Sequence, residues 1–131
     1  MADASYPDDL LYHAEHDWAR IDPEDPSLAT LGITWYAQDS LGEVVFFDLP
    51  DVGAQIKKDE PYAEVESVKA VSDVIAPLSG EIVEVNGALA DGPQAINEDP
   101  YGDGWLVKVR LAEPGEREAL MDAGAYAATL G

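Results

Sequence analysis

The chain has 131 residues, 47% of them apolar, no cysteine, and 27 acidic residues against 7 basic ones, for a formal net charge of −20. These figures fit one folded domain with a modest core and exclude disulfides, thiol catalysis and cysteine-ligated metals. Nucleic acid is a poor partner for such a surface, because phosphate binding needs cations; proteins with basic docking faces suit it better, and a salt-rich cytoplasm is a second explanation of the charge.

The N-terminus shows no charged-then-apolar leader and no arginine-rich amphipathic segment, so no secretory or organellar address is expected. Apolar runs are only a few residues long, too short to span a membrane. Strands are expected over residues 10–22, followed by a proline-rich hairpin loop from Asp22 to Ser27 and a core over about 28–111. Thr34 can cap a short helix, Trp35 to Leu41, that stops at Gly42. Short strands with dense Pro, Gly and Asp punctuation follow, the pattern of a sandwich or barrel. Trp105-Leu106-Val107-Lys108-Val109-Arg110 alternates as a half-buried strand does. A helical tail is expected over 114–129, broken at Gly124.

Lys69 is the residue that stands out. It is a solitary cation in Val65-Glu66-Ser67-Val68-Lys69-Ala70-Val71-Ser72-Asp73, between two β-prone runs. Val and Ser there favour extended backbone and turns over helix, which predicts a hairpin with Lys69 at its tip. An internal repeat flanks it: Gly42-Glu43-Val44-Val45 recurs as Gly80-Glu81-Ile82-Val83, and Gly53, Gln55 and Pro61-Tyr62 recur as Gly92, Gln94 and Pro100-Tyr101. Two copies are too few for a solenoid, so two pseudo-symmetric half-sheets closing on each other are expected, with Lys69 in the segment that joins them.

These residues resemble the H protein of the glycine cleavage system, a lipoyl-carrier family. Glu66-Ser67-Val68-Lys69-Ala70 with Ser72-Asp73 is similar to its lipoyl-lysine segment. His16-Asp17-Trp18 is similar to its N-terminal His-acidic-Trp element. Gly32-Ile33-Thr34, Ala37-Gln38 and Leu41-Gly42 are similar to its helix, and Leu49-Pro50-Asp51-Val52-Gly53 to the following loop. Ala76-Pro77-Leu78-Ser79-Gly80-Glu81 onward, then Asn97-Glu98-Asp99-Pro100-Tyr101 and Gly104-Trp105-Leu106, complete the order. The resemblance covers nearly the whole chain.

The resemblance implies a mostly β, lipoyl/biotinyl-like sandwich-barrel hybrid with short helices near its start and end. It implies a non-catalytic carrier with lipoate joined covalently to Lys69. The arm would visit a pyridoxal-phosphate glycine decarboxylase, a tetrahydrofolate-dependent aminomethyltransferase and a flavin-dependent dihydrolipoamide dehydrogenase, after a lipoate-attaching enzyme has loaded it. Glu66 and Gly80 match positions that the attaching enzyme recognises. Glu15, Asp17 and Asp73 match the cleft where polar side chains hold the loaded aminomethyl arm. The implied compartment is the cytoplasm of a prokaryote, or the mitochondrial matrix if a transit peptide was removed. Ser40 departs from the family, where some relatives have histidine.

Rival readings fit less well. A lipoyl domain of a 2-oxoacid dehydrogenase carries Asp before its lysine, where Val68 stands here, and a biotinyl domain carries Met-Lys-Met. An H-like lipoyl donor or relay protein, serving lipoate transfer or redox signalling, is the alternative that the residues separate least. No metal site is expected: His13, Glu15, His16 and Asp17 would need further ligands that no spacing specifies. No Gly-x-Ser-x-Gly elbow supports a hydrolase.

Overall fold

The computed structural model describes residues 6–130. Two antiparallel sheets enclose the core. The larger is built from β1 (Leu11–His13), β2 (Asp17–Ile21), β3 (Leu28–Ile33), β5 (Gln55–Ile56), β8 (Gly80–Val85) and β9 (Val107–Leu111), in the order β1-β2-β3-β9-β8-β5. The smaller is β4 (Val44–Asp48), β6 (Pro61–Ser67) and β7 (Val71–Ile75), in the order β4-β6-β7. The fold is the mostly β sandwich that the sequence leads one to expect.

Alternation explains which faces meet. In β9, Val107, Val109 and Leu111 are buried while Lys108 and Arg110 point outward, so a period of two sends one face to the core. Leu31, Val65, Leu78, Ile82, Val107 and Val109 are fully buried and belong to one cluster between the sheets. A second cluster holds Leu10, Tyr12, Trp18, Ala123 and Tyr126, with the Tyr12 and Tyr126 rings stacked at 4.8 Å. The β2–β3 hairpin closes through the expected loop, where the Asp22 carboxylate accepts from the Glu24 amide at 2.8 Å, an Asx turn.

The helix α1 (Trp35–Leu41) has the expected bounds. The Thr34 hydroxyl accepts from the Ala37 amide, and the Gly42 amide donates to the Gln38 carbonyl. Gly42 has φ 82°, the left-handed conformation that favours glycine at a helix end.

Two local expectations differ from the structure. The first is the end of the chain: Pro114–Ala119 forms a 3-10 turn, Leu120 is extended, and Met121 bridges Tyr12. A helix α3 (Ala123–Thr129) then starts where the Asp122 carboxylate accepts from the Ala125 amide at 2.8 Å. Gly124 therefore lies inside α3. The break comes earlier, because pairing with β1 holds Met121 extended. The second is the repeat. It holds where Val44 and Gly80 open β4 and β8, but not beyond. Residues 53–62 lead through β5 into β6, whereas 92–101 enclose a helical turn, α2 (Ala95–Glu98). Ile96 of that turn is buried in the core, and the two sheets end up with six and three strands.

Candidate functional site

The β6–β7 hairpin turns over Ser67 to Ala70, and Ser67 organises it. Its amide donates to the Ala70 carbonyl at 2.8 Å. Its hydroxyl oxygen accepts from the Ala70 amide at 3.1 Å and the Lys69 amide at 3.3 Å. Serine is suited to this, because a short hydroxyl can satisfy nearby backbone donors that a turn leaves free. The Val68 amide donates to the Glu43 carbonyl at 3.0 Å, which ties the tip to the start of β4. Lys69 itself is exposed. Its side chain runs beside Gly42, where an added Cβ would lie 3.4 Å from Cε. Among the described residues no carboxylate forms an ion pair with its amine.

A distant asparagine braces this corner. The Asn97 amide nitrogen donates to the Gly42 carbonyl at 2.8 Å and to the buried Gln38 side chain at 3.0 Å. Its carbonyl oxygen accepts from the Val44 amide at 2.8 Å. One side chain thus joins α2, the end of α1 and the start of β4.

Beside the hairpin lies a cleft of about 400 Å³, bounded by the turn before β2, by α1 and by β7. It reaches Ala70, next to Lys69. Glu15, Asp17 and Asp73 all border it, with Ile33, Leu41 and Val65 among its apolar walls. Ser40 lies on its rim.

The three acids differ. Asp17 is 2% exposed, and its Oδ2 is buried without a hydrogen-bond partner. Desolvation, helped by the charge of Glu15, pushes its pKa well above the ordinary carboxylate range. Glu15 and Asp73 are exposed. Asp73 stands opposite Glu64 in the β6–β7 ladder.

The turn carrying Glu15 is held from two sides. His13 Nδ1 accepts from the Glu15 amide at 3.0 Å. Its Nε2 is then the donor to the Asp59 carboxylate at 2.6 Å, which, with Lys58, holds Asp59 below its usual range. His16, at φ 73°, meets the Tyr126 hydroxyl at 2.8 Å, and that hydroxyl meets Thr34 Oγ1 at 2.8 Å. Burial lowers the His16 pKa and favours its neutral form. Both imidazoles are engaged with protein groups, and among the described residues no three His, Asp or Glu side chains are arranged to hold a metal.

Glu66 is exposed and lies opposite Phe46 and Val71. Gly80 is buried between β5 and β9. A Cβ there would run into the Arg110 carbonyl of the neighbouring strand, so close strand packing by itself accounts for the glycine. Sequence reasoning did not single out Ser67, Asn97 or Tyr126. Ser67 carried a signal, a serine just before a tight turn, and Asn97 opens one of the matched segments; Tyr126 acts across a long separation and carried none.

A β sandwich that offers one lysine on a braced turn, above a cleft floored by a buried acid, is a lysine-presenting domain. Comparison places it further. The family model described as Glycine cleavage H-protein matches residues 10–131, and the chain belongs to that family. It is 50% identical over 123 residues to the glycine cleavage system H protein of Symbiobacterium thermophilum, covering 94% of each chain. It is 52% identical over 127 residues to that of an Enterobacter species, covering 97% of each. The crystal structure of a glycine cleavage system H protein from Mycobacterium marinum superposes with a TM-score of 0.85 at 45% identity, over 95% of this chain and 98% of that one. No helix among the described residues is long and apolar enough to cross a membrane.

Proposed function

We propose that the chain is the lipoyl-bearing carrier of a glycine cleavage system, a single domain working in the cytoplasm, with lipoate joined by an amide to Nζ of Lys69. The observation that carries this reading is the exposed tip lysine beside a cleft lined by Asp17, whose Oδ2 is buried without a hydrogen-bond partner. The residues fit the group: apolar walls suit a hydrocarbon arm, and Asp17 lacks the partner that a cationic amine would supply. Once attached, the lipoyl group supplies the disulfide chemistry and carries the aminomethyl cargo from glycine decarboxylase to the tetrahydrofolate-dependent aminomethyltransferase, and dihydrolipoamide dehydrogenase then reoxidises the dithiol.

The chain's own residues bind and shelter. Ser67 and the Val68–Glu43 bond hold the tip, so the lysine is presented at little ordering cost. A tethered arm then samples docked partners at high effective concentration. Asp17 holds the amine of the cargo by a charge-assisted hydrogen bond, worth about 1.5–3 kcal/mol where water is excluded. Glu15 and Asp73, at the mouth, attract the same cation. Glu66 guides the attaching enzyme. The acid floor favours a carrier of a cationic cargo over a lipoyl relay, whose oxidised arm has no amine to hold.

The test compares wild type with Lys69→Arg after incubation with a lipoate ligase, lipoate and ATP. Intact mass should show one lipoyl group on wild type and none on the variant, and only wild type should support glycine cleavage with the three partner enzymes. Peptide mapping that finds the group on Lys57, Lys58 or Lys108 overturns the assignment.

A further inference from the structure

Tyr126 ties the C-terminal helix α3 to two walls of the cleft without lining it. Its ring is buried and stacks on Tyr12 at 4.8 Å. Its hydroxyl lies 2.8 Å from His16 Nδ1 and 2.8 Å from Thr34 Oγ1. His16 stands between Glu15 and Asp17 in the turn before β2, and Thr34 caps α1, which carries Tyr36 on the cleft. The His16 carbonyl also accepts from the Thr34 amide at 3.1 Å, and the His16 ring sits 4.5 Å from that of Tyr36. His16 has φ 73°, a left-handed conformation that is uncommon outside glycine and persists where the surroundings enforce it. These contacts enforce it here.

Counting protons gives the direction of the chain of hydroxyls. Thr34 Oγ1 already accepts from the Ala37 amide at 3.2 Å, so its own proton goes to the Tyr126 oxygen, and the phenol proton goes to His16 Nδ1. The reverse direction would strand the Thr34 proton, because Thr34 is fully buried and has no other acceptor for it among the described residues; buried polar groups are paired. The imidazole then keeps a lone pair on Nδ1 and its proton on Nε2, and is uncharged. Burial lowers the His16 pKa, against the pull of Glu15, and a proton donor on Nδ1 acts in the same direction as burial. The titratable groups around the ring are His13, Glu15 and Asp17 from its own segment, Tyr36 from α1, Tyr126 from α3, and Asp73 across the cleft.

Resting on the carrier reading above, we propose that Tyr126 is a positioning residue for the cargo: its hydroxyl fixes His16, and with it the cleft wall that carries Glu15 and Asp17, in the form that receives a cationic amine. One bond has two consequences. The turn is held, so the Asp17 carboxylate beside His16 keeps its place on the cleft. The ring also stays neutral. A protonated imidazole would put a cation between the two acids that the cargo needs, and like charges at that range repel. It would also have to turn the Tyr126–Thr34 chain around, since Nδ1 would then carry a proton. Tyr126 touches neither the lysine nor the cargo. It acts through His16 and Thr34, so the last helix of the chain sets the charge of a site lined by residues 15–75.

The experiment uses full-length chain, lipoylated at Lys69 and loaded from glycine by glycine decarboxylase, and follows non-enzymatic release of the aminomethyl group. Tyr126→Phe keeps the stacked ring and removes the hydroxyl. It should release cargo about fivefold faster than wild type at about pH 8, the factor that one net hydrogen bond represents. The ratio of the two rates should rise further toward about pH 6, because a histidine without its donor protonates there. His16→Asn, added to Tyr126→Phe, cannot take the charge and should remove that rise. Tyr12→Phe, which loses a hydroxyl bonded to the Pro7 carbonyl, should release cargo as wild type does at both pH values. In unlipoylated chain, NMR titration should place the His16 midpoint higher in Tyr126→Phe than in wild type. Release at wild-type speed, a ratio that does not change with pH, or equal His16 midpoints overturns the proposal. Wild-type chain that takes no lipoate or no cargo defeats the carrier reading instead, and the titration then still decides whether Tyr126 governs His16.

Discussion

Glu64 and Asp73 stand directly opposite one another in the β6–β7 ladder, so their carboxylates share the outer face of the small sheet. Like charges in that relation repel. Glu64→Gln should raise Tm by about 1–2 °C at low salt, and the gain should shrink as sodium chloride screens the pair. A gain that persists at high salt points to a cause other than charge.

Asp17 should make stability depend on pH in the direction opposite to a paired carboxylate. Burial raises its folded-state pKa above the ordinary 3.8. The folded chain therefore favours the protonated acid. The contribution to stability is complete below the unfolded pKa, about 4, and is lost as pH climbs toward the raised folded value. Asp17→Asn cannot ionise. It should match wild type in acid and exceed it near neutral pH, where only the wild-type chain bears the cost of a buried charge. Denaturant unfolding of both proteins across pH measures the gap, and a gap that fails to widen above about pH 4 counts against a buried, unpartnered acid.

The same substitution should weaken retention of cargo. With the aminomethyl group loaded, Asp17→Asn should speed its non-enzymatic release by roughly tenfold, since about 1.4 kcal/mol is a factor of ten. Asp73→Asn should have a smaller effect, because Asp73 is exposed and water competes for the amine. Decay rates of the isolated loaded carriers, with Glu81→Gln as control, decide it. Identical decay in all of them removes both acids from the role.

Gly80→Ala should act through stability. The new methyl meets the Arg110 carbonyl, and strands that must part to admit it lose packing and register. A cost of about 1–3 kcal/mol is expected, read as a lower urea midpoint at unchanged m. Per folded molecule, lipoylation of Lys69 should proceed at the wild-type rate. Unchanged stability with slower lipoylation would make Gly80 a recognition residue instead.

Self-repulsion should make the whole domain sensitive to salt. There are 27 acidic residues against 7 basic ones, so local pairing cannot cancel the charge. Tm should climb from low to moderate sodium chloride as the repulsion is screened. A Tm that stays flat or falls would show that the acids are spaced too widely to matter.

Features set by neighbours along the chain are legible in the amino-acid sequence. Thr34 and Gly42 bound α1 because capping depends on residues a few positions apart. The turn at Lys69 follows from β-prone runs on either side, and the face of β9 follows from its alternation. Local signals also mislead where a distant strand intervenes. Gly124 has the character of a helix break, yet it lies in the first turn of α3, because Met121 is held extended by Tyr12 and Asp122 supplies the cap.

The environment of each acid and each turn comes from packing. Asp17, Glu15 and Asp73 are alike as letters. Asp17 becomes the desolvated one because β2, α1 and β7 close around it, and burial is a sum over elements far apart in sequence. Gly80 is needed because β9 passes too close for a Cβ. The lysine and the turn that offers it are written in a short run of residues. Which carboxylate waits beneath them without a partner is not, because desolvation has no local code.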